Sequence, residues 1–564
     1  MSKARDIVET LRTVLVDGDV TNANFTGADL EISKGGTGAS STGAARTALG
    51  VAIGTDVLAP DGSAANLTNL PASGSADFVA SGTLPNGRGV ILKTNGQVEV
   101  ASFVPTNVSQ NVPSSSEFVF NSGTTNYISS DIDPSDASKF IVSYRDYGNS
   151  DYGTACVGSI SGSSITFGSE FVFISSAISS SLLKFDPANT GKFLILYSKS
   201  AGTPRYMAGT RSGNTLTFGA EAGATQGAMT YHDLSFDPNT SGKFIAAYRD
   251  STNSTGNAHV GTVSGNTVTI ASNNEYNFIT SDVGSVAVAF DPNAANKCVI
   301  IFQHPNSSND GKAIVTTISN YNPSFATAST FSTGSAESMN IKFDPNTANK
   351  FLISFKDGDN SNYGKAIVGT RSGDSITYGS IVTFNSGATD HASLAWDSSN
   401  SGKFAIAYRD GGNSNSGTVS TGSVSNTTIS FNAKATFNAN AVTNYNSLSF
   451  MPDGSARFLV TYVDYGNSLA GTAILGQSAV TLSLTNMTAA NFLGTSTAAY
   501  TNGQTAKIML QGGISTNQTG LTIGSTYYVQ GNGTFATSPD STYLVPSVVA
   551  GKAVSATTLL LKGI

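Results

Sequence analysis

Apolar residues fall at alternate positions in short runs over most of this chain, the two-residue period of a β-strand. Leu234 and Phe236 flank Ser235, and Phe244, Ala246 and Tyr248 interleave with Ile245 and Ala247. The loop "DPNTSGK" from Asp237 joins these runs and is made of turn formers, which predicts a hairpin. The pattern returns as "LKFDPANTGKFLILY" from Leu183, "IKFDPNTANKFLISF" from Ile341 and "LAWDSSNSGKFAIAY" from Leu394. More divergent copies are "DIDPSDASKFIVSY" from Asp131, "VAFDPNAANKCVIIF" from Val288 and "LSFMPDGSARFLVTY" from Leu448. Prolines at 134, 187, 238, 292, 345 and 452, with Ser398 in the remaining slot, set seven copies 51 to 54 residues apart.

Each copy continues with a third run, such as "GKAIVGTRSG" from Gly364, and a fourth after a tight turn, such as "DSITYGS" from Asp374. Four antiparallel strands in every repeat predict an all-β fold, a seven-bladed β-propeller over residues 113–480. The tail "EFVF" at Glu170 ends the first copy, the same "EFVF" at Glu117 precedes it, and the last copy has no clear tail of its own. The entering segment is therefore expected to complete the last blade, close the ring and remove both sheet edges.

Three flanking regions complete the organisation. In residues 1–60, Ile7, Leu11, Val14 and Leu15 recur at helical spacing, which predicts a short amphipathic helix in an attachment region. Residues 61–112 read as a small β-hairpin linker module, and 481–564 as a C-terminal β module.

Composition narrows the function. Only 12% of the 564 residues are charged and the net charge is −7, so no basic footprint for nucleic acid exists. No apolar run is long enough to cross a membrane, and the charges interleaved in "MSKARDIVETLRTVLV" rule out a secretory h-region. Cys156 and Cys298 sit in apolar runs and read as small core residues. "KGGTG" from Lys34 has no following Lys-Ser or Lys-Thr and no preceding buried strand, so it is not a phosphate loop; no cofactor is expected.

No catalytic constellation stands out. Most acidic residues repeat in register, whereas glycoside hydrolysis needs one convergent pair of carboxyl groups. The sialidase-type Asp-box is missing, and His232, His259, His304 and His391 show neither metal nor triad spacing. The expectation is a protein that is not an enzyme.

One loop recurs between the second and third strands: "YRDYGNSDYG" from Tyr144, "KDGDNSNYG" from Lys356, "YRDGGNSNSG" from Tyr408 and "YVDYGNSLAG" from Tyr462. It pairs Asp146 with Asn149, Asp250 with Asn253, Asp357 with Asn360, Asp410 with Asn413 and Asp464 with Asn467. Tyr147, Tyr152, Tyr363 and Tyr465 add aromatic faces. Plain turn chemistry explains Asp, Asn and Gly without any ligand. A receptor-binding rim, polyvalent toward glycan, explains the aromatics as well. A calcium loop is the third reading, confined to Asp357 and Asp359 because only "DGDNSN" sets oxygen ligands at alternate positions; no copy has the distal Glu of an EF-hand.

The run "KGGTGA…AARTALG…IGTDV", Lys34 to Val57, resembles the N-terminal signature of bacteriophage tail-fibre and tail-spike proteins. "DFVASGTLPNGRGVILKTNGQVEV" from Asp77 looks like the hairpin modules near the base of such fibres. "GLTIGSTYYVQGNGTF" from Gly520 looks like a module found at the ends of phage virion proteins. The resemblance implies a virion tail appendage, made in the host cytoplasm and acting outside the cell. Its implied partners are other tail proteins, through the N-terminal region, and a host surface glycan or protein; a homotrimer is the implied assembly. The alternative is a scaffold such as a tail nozzle or head decoration, and a polysaccharide depolymerase ranks below both.

Overall fold

In the computed structural model the described residues are 74–112, 116–199, 202–223, 227–270, 275–439, 441–540 and 545–563. They are all-β: the only helical segments among them are short 3-10 turns such as Tyr147–Asn149 and Tyr465–Asn467. The expected helix in residues 1–17 and the signature at 34–57 lie outside the described residues. The chain divides into two units, Pro105–Leu482 and a second formed by Met1–Val104 with Ser483–Ile564.

Within the larger unit the third repeat shows the pattern. Met229–Phe236 pairs antiparallel with Lys243–Asp250, which pairs with Thr255–Ser264. The outer position holds two short strands, Thr267–Ile270 and Tyr276–Ile279, both paired to Thr255–Ser264. The apolar tail seen in sequence is therefore a continuation of the fourth strand. Elsewhere the tail runs straight on: Ser164–Phe185 is outer strand of the first repeat and inner strand of the second, and Val382–Trp396 does the same for the fifth and sixth.

A glycine column fixes the packing of the second strand on the third. A Cβ at Gly158, Gly209, Gly261, Gly369, Gly422 or Gly476 would enter the ring of Phe140, Phe193, Phe244, Phe351, Phe404 or Phe458 in the adjacent strand. The fourth repeat swaps both members, pairing Cys298 with Thr316, so a smaller residue on one strand is matched by a larger one on the next. This is the buried setting expected for Cys298; Cys156 is equally buried.

Neighbouring repeats are stitched through their inner strands. The inner edge N–H groups cannot join a ladder, so side chains accept them: Leu183 N–H donates to Ser129 Oγ at 2.9 Å, Val288 N–H to Asp233 Oδ2 at 3.0 Å and Leu448 N–H to Ser393 Oγ at 3.0 Å. The last repeat meets the first in the same way. Ser130 N–H donates to Ser447 Oγ at 3.1 Å, and Ser447 Oγ donates to Ser130 O at 3.1 Å.

The Asp-Pro turns add a second layer of stitching. Asp186 Oδ1 accepts from Ala188 N–H within its own turn, and Oδ2 accepts from Gly242 N–H of the next repeat. Where the third strand ends in Arg, the carboxylate takes a guanidinium instead: Arg211 reaches Asp133 at 2.6 Å and Arg371 reaches Asp291 at 2.7 Å, all four side chains nearly or fully buried.

The smaller unit joins what the sequence places in separate modules. Ser75–Val79 pairs with Thr505–Leu510, and Gly89–Leu92 with Phe492–Ser496, so the hairpin of 61–112 and part of 481–564 share one sheet. A second sheet contains Thr526–Val529, Val548–Ser555 and Thr558–Leu561. Ile91, Phe492, Val529 and Leu559 lie in their common core.

Candidate functional site on the loop face

The recurrent loops sit at the end of each repeat opposite the Asp-Pro turns, because Asp146 pairs with Thr125 at the start of the inner strand while Phe140 pairs with Ile132 at its end. Their aspartates are turn builders. Asp250 Oδ1 accepts from Thr252 N–H at 2.8 Å and Oδ2 from Asn253 Nδ2 at 2.6 Å. Asp410 and Asp464 accept from the N–H groups of Gly412 and Gly466, and Asp146 from Asn121 Nδ2. Asp146, Asp250, Asp410 and Asp464 are buried and Asp357 partly so, hence the four buried carboxylates face the protein rather than solvent. Asn149, Asn253, Asn360, Asn413 and Asn467 are exposed, and so are Tyr147 and Tyr465, at 56% and 45%. Tyr152 and Tyr363 are half-buried.

The calcium candidates have other occupations. Asp359 Oδ2 accepts from Ser335 N–H at 3.0 Å, and Asp357 lies 4.0 Å from Lys365 Nζ. Among the described residues no group of three or more His, Cys, Asp or Glu side chains is placed to hold a metal.

The structure adds a feature between these loops. At a bulge near the start of the inner strand, Tyr127, Tyr231, Ser338, His391 and Tyr445 all adopt left-handed backbone, with φ of 52°, 44°, 47°, 49° and 53°. Such a conformation is uncommon for Tyr and His and concentrates at functional positions. The bulge lies at the loop end of the inner strand, next to the pairs Asn126 with Arg145 and Asp390 with Arg409. Tyr445 lies with its ring centroid 5.1 Å from both Tyr127 and His391, and Tyr231 is 59% exposed. Burial, then Tyr127, push the Tyr445 hydroxyl up to about 12, so it stays protonated as a donor. Burial and Arg409 hold His391 down to about 4, neutral at ordinary pH.

Charged groups surround the aromatic row. Lys356 pairs with Glu337 at 2.8 Å and Asp390 at 3.3 Å, and Asp390 pairs with Arg409 at 2.7 Å. Arg409 donates to Asn444 Oδ1, whose own amide donates to the Tyr465 hydroxyl at 2.9 Å. Arg145 binds Asp151 and lies 5.4 Å from the Tyr147 ring centroid. Aromatic faces beside fixed donors and acceptors can stack on and hydrogen-bond a sugar.

Sequence reasoning missed this row because its members sit inside strands. A signal was present: Tyr127, Tyr231, His391 and Tyr445 each stand three places before the first inward residue of the motif, Ser130, Leu234, Leu394 and Leu448.

Two further histidines, His259 and His304, make side-chain hydrogen bonds away from this row. Tyr248 donates its hydroxyl to the partly buried Glu275 and so accepts from His259 Nε2–H at 3.0 Å, leaving Nδ1 to accept from Tyr206 at 2.9 Å, with both tyrosines and His259 buried. Ser281 and His304 approach at 2.9 Å, but among the described residues His304 Nδ1 has no partner that would orient the ring as in a triad.

No family model matches the chain, and no curated protein matches it. Among solved structures it is similar to Sqt1 from Chaetomium thermophilum, at 14% identity and TM-score 0.40, over 63% of this chain and 85% of that one. It is also similar to the BP39L lectin from Burkholderia pseudomallei, at 8% identity and TM-score 0.45, over 64% and 100% of the two chains. A protein from Lactobacillus plantarum aligns at 11% identity and TM-score 0.38, over 58% and 92%.

Proposed function

We propose that this chain is a non-enzymatic bacteriophage tail appendage in which seven repeats close into a β-propeller. Residues 1–60 dock it on the particle, and the loop face and C-terminal module meet a host surface glycan or protein. The virion assignment is supported by the signature at Lys34 to Val57. Closure is supported by the seam between Ser447 and Ser130 and by the pairing of Phe118–Asn121 with Ala470–Gln477.

The observation that carries host contact is the row of left-handed Tyr127, His391 and Tyr445 at the loop end of the inner strands. It shifts the contact inward from the rim. Asn149, Asn253, Asn360, Asn413 and Asn467, with Tyr147, Tyr152, Tyr363 and Tyr465, form the periphery, and repetition around a homotrimer would add avidity.

The test is competition. Purified protein added before phage should reduce adsorption to host cells, and labelled antibody should mark the distal tips of the tail. Undiminished adsorption, with label on the tail tube or head, would replace this reading by the scaffold one.

A further inference from the structure

The residue three places before each motif proline, or before Ser398 in the sixth repeat, faces a single cavity of about 350 Å³ at the Asp-Pro end of the inner strands, lined by all seven repeats. Equivalent positions in a repeat protein normally match. Here four are Ser or Ala, and three are charged: Asp131, Lys184 and Lys342.

Asp131 is already engaged, accepting from Phe185 N–H at 3.0 Å and from Ser449 Oγ at 3.3 Å. Neither Lys184 nor Lys342 has a carboxylate within 4.0 Å among the described residues. Both side chains are half-buried. Burial, reinforced by Lys184, pushes the Lys342 ammonium down to about 8, against the opposing pull of Asp233 and Asp131. Two like charges sharing a recess walled by Phe236, Phe343 and Trp396 carry an electrostatic cost that an anion between them would remove.

We propose that this axial cavity binds a compact oxyanion, a carboxylate or phosphate group on a small molecule, between Lys184 and Lys342. Its volume suits one acidic monosaccharide or phosphate ester. The apolar walls would pack on the body of the ligand while the ammonium groups hold its charge. Because it lies at the opposite end of the inner strands from the loop face, it stands or falls separately from host contact there.

Amine acetylation of the full chain at pH 8, read by mass spectrometry, tests this directly. Inorganic phosphate, glucuronate and glucose are compared at matched conductivity. Phosphate or glucuronate should slow acetylation of Lys342 and Lys184 about tenfold at ten times its Kd, with glucose inert and the exposed Lys552 and Lys562 unaffected. Protection by phosphate alone points to a phosphate source, and by glucuronate alone to an acidic sugar; either supports the site. In Lys184→Met, protection of Lys342 should fall sharply. Equal Lys342 labelling with and without both anions, or protection unchanged in Lys184→Met, overturns the proposal.

Discussion

Tyr462 donates its hydroxyl to Glu117 Oε1 at 2.7 Å across 345 residues of chain. The same contact is local in other repeats, Tyr144 to Glu170 at 2.7 Å, Tyr197 to Glu221 at 2.5 Å and Tyr248 to Glu275 at 2.6 Å. The segment before the first repeat thus takes the outer-strand place in the last one. Phe120 completes the match: it covers Gly471 as Phe437 covers Gly417 and Phe173 covers Gly153.

Phe120→Ala should therefore cost about 3 kcal/mol, as expected for a buried core phenylalanine and comparable to Phe437→Ala. Tyr462→Phe should cost about 1 kcal/mol, because Glu117 keeps contact with water. Urea unfolding of the variants checks both, and a silent Phe120→Ala would mean that the entering segment does not complete the last repeat.

Arg371 and Asp291 form a buried contact between the fifth and fourth repeats in which two guanidinium nitrogens share one carboxylate oxygen, Arg371 Nε at 3.1 Å and Nη2 at 2.7 Å from Oδ2. Removing one partner strands the other charge, so Arg371→Met should destabilise by about 3 kcal/mol, while Arg371→Met with Asp291→Leu should recover much of that loss. Thermal melts of the two single variants and the double would show a strong coupling; additive losses would contradict it.

Acid should weaken the fold in a defined window. Burial holds His232, His259 and His391 near 4, below their ordinary 6.5. The unfolded chain then binds more protons, so the stability these neutral histidines contribute is complete above pH 6.5 and is lost as pH falls toward about 4. Unfolding midpoints measured between pH 7 and 4 should decline through that interval, with a shallower slope in His259→Gln.

Host contact predicts a split between binding and stability. Tyr445→Ala should lower adsorption about tenfold, equivalent to 1.4 kcal/mol and within the range of one aromatic contact. Asn360→Ala with Tyr363→Ala, at the periphery, should reduce adsorption less and leave the melting temperature near that of the parent. Asp250→Ala should do the reverse, costing about 1 to 2 kcal/mol through its lost turn bonds with no specific effect on adsorption per folded molecule. Adsorption indifferent to Tyr445 would defeat the loop-face reading.

The sequence by itself determined the repeat, its strands and its turns, because alternation, Asp-Pro hairpins and loop glycines are local signals read within a few residues. It also placed "EFVF" at Glu117, since identity with Glu170 is visible without coordinates. Tertiary structure alone decided what the repeated polar residues do. Asp250 looks the same in sequence whether it faces a ligand or its own backbone, and only burial and hydrogen-bond geometry separate the two. The row of Tyr127, His391 and Tyr445 likewise comes from a bulge within a strand, and the pairing of Lys184 with Lys342 from positions 158 residues apart brought to one cavity. Such convergence depends on how strands are arranged in space, which no period along the chain encodes.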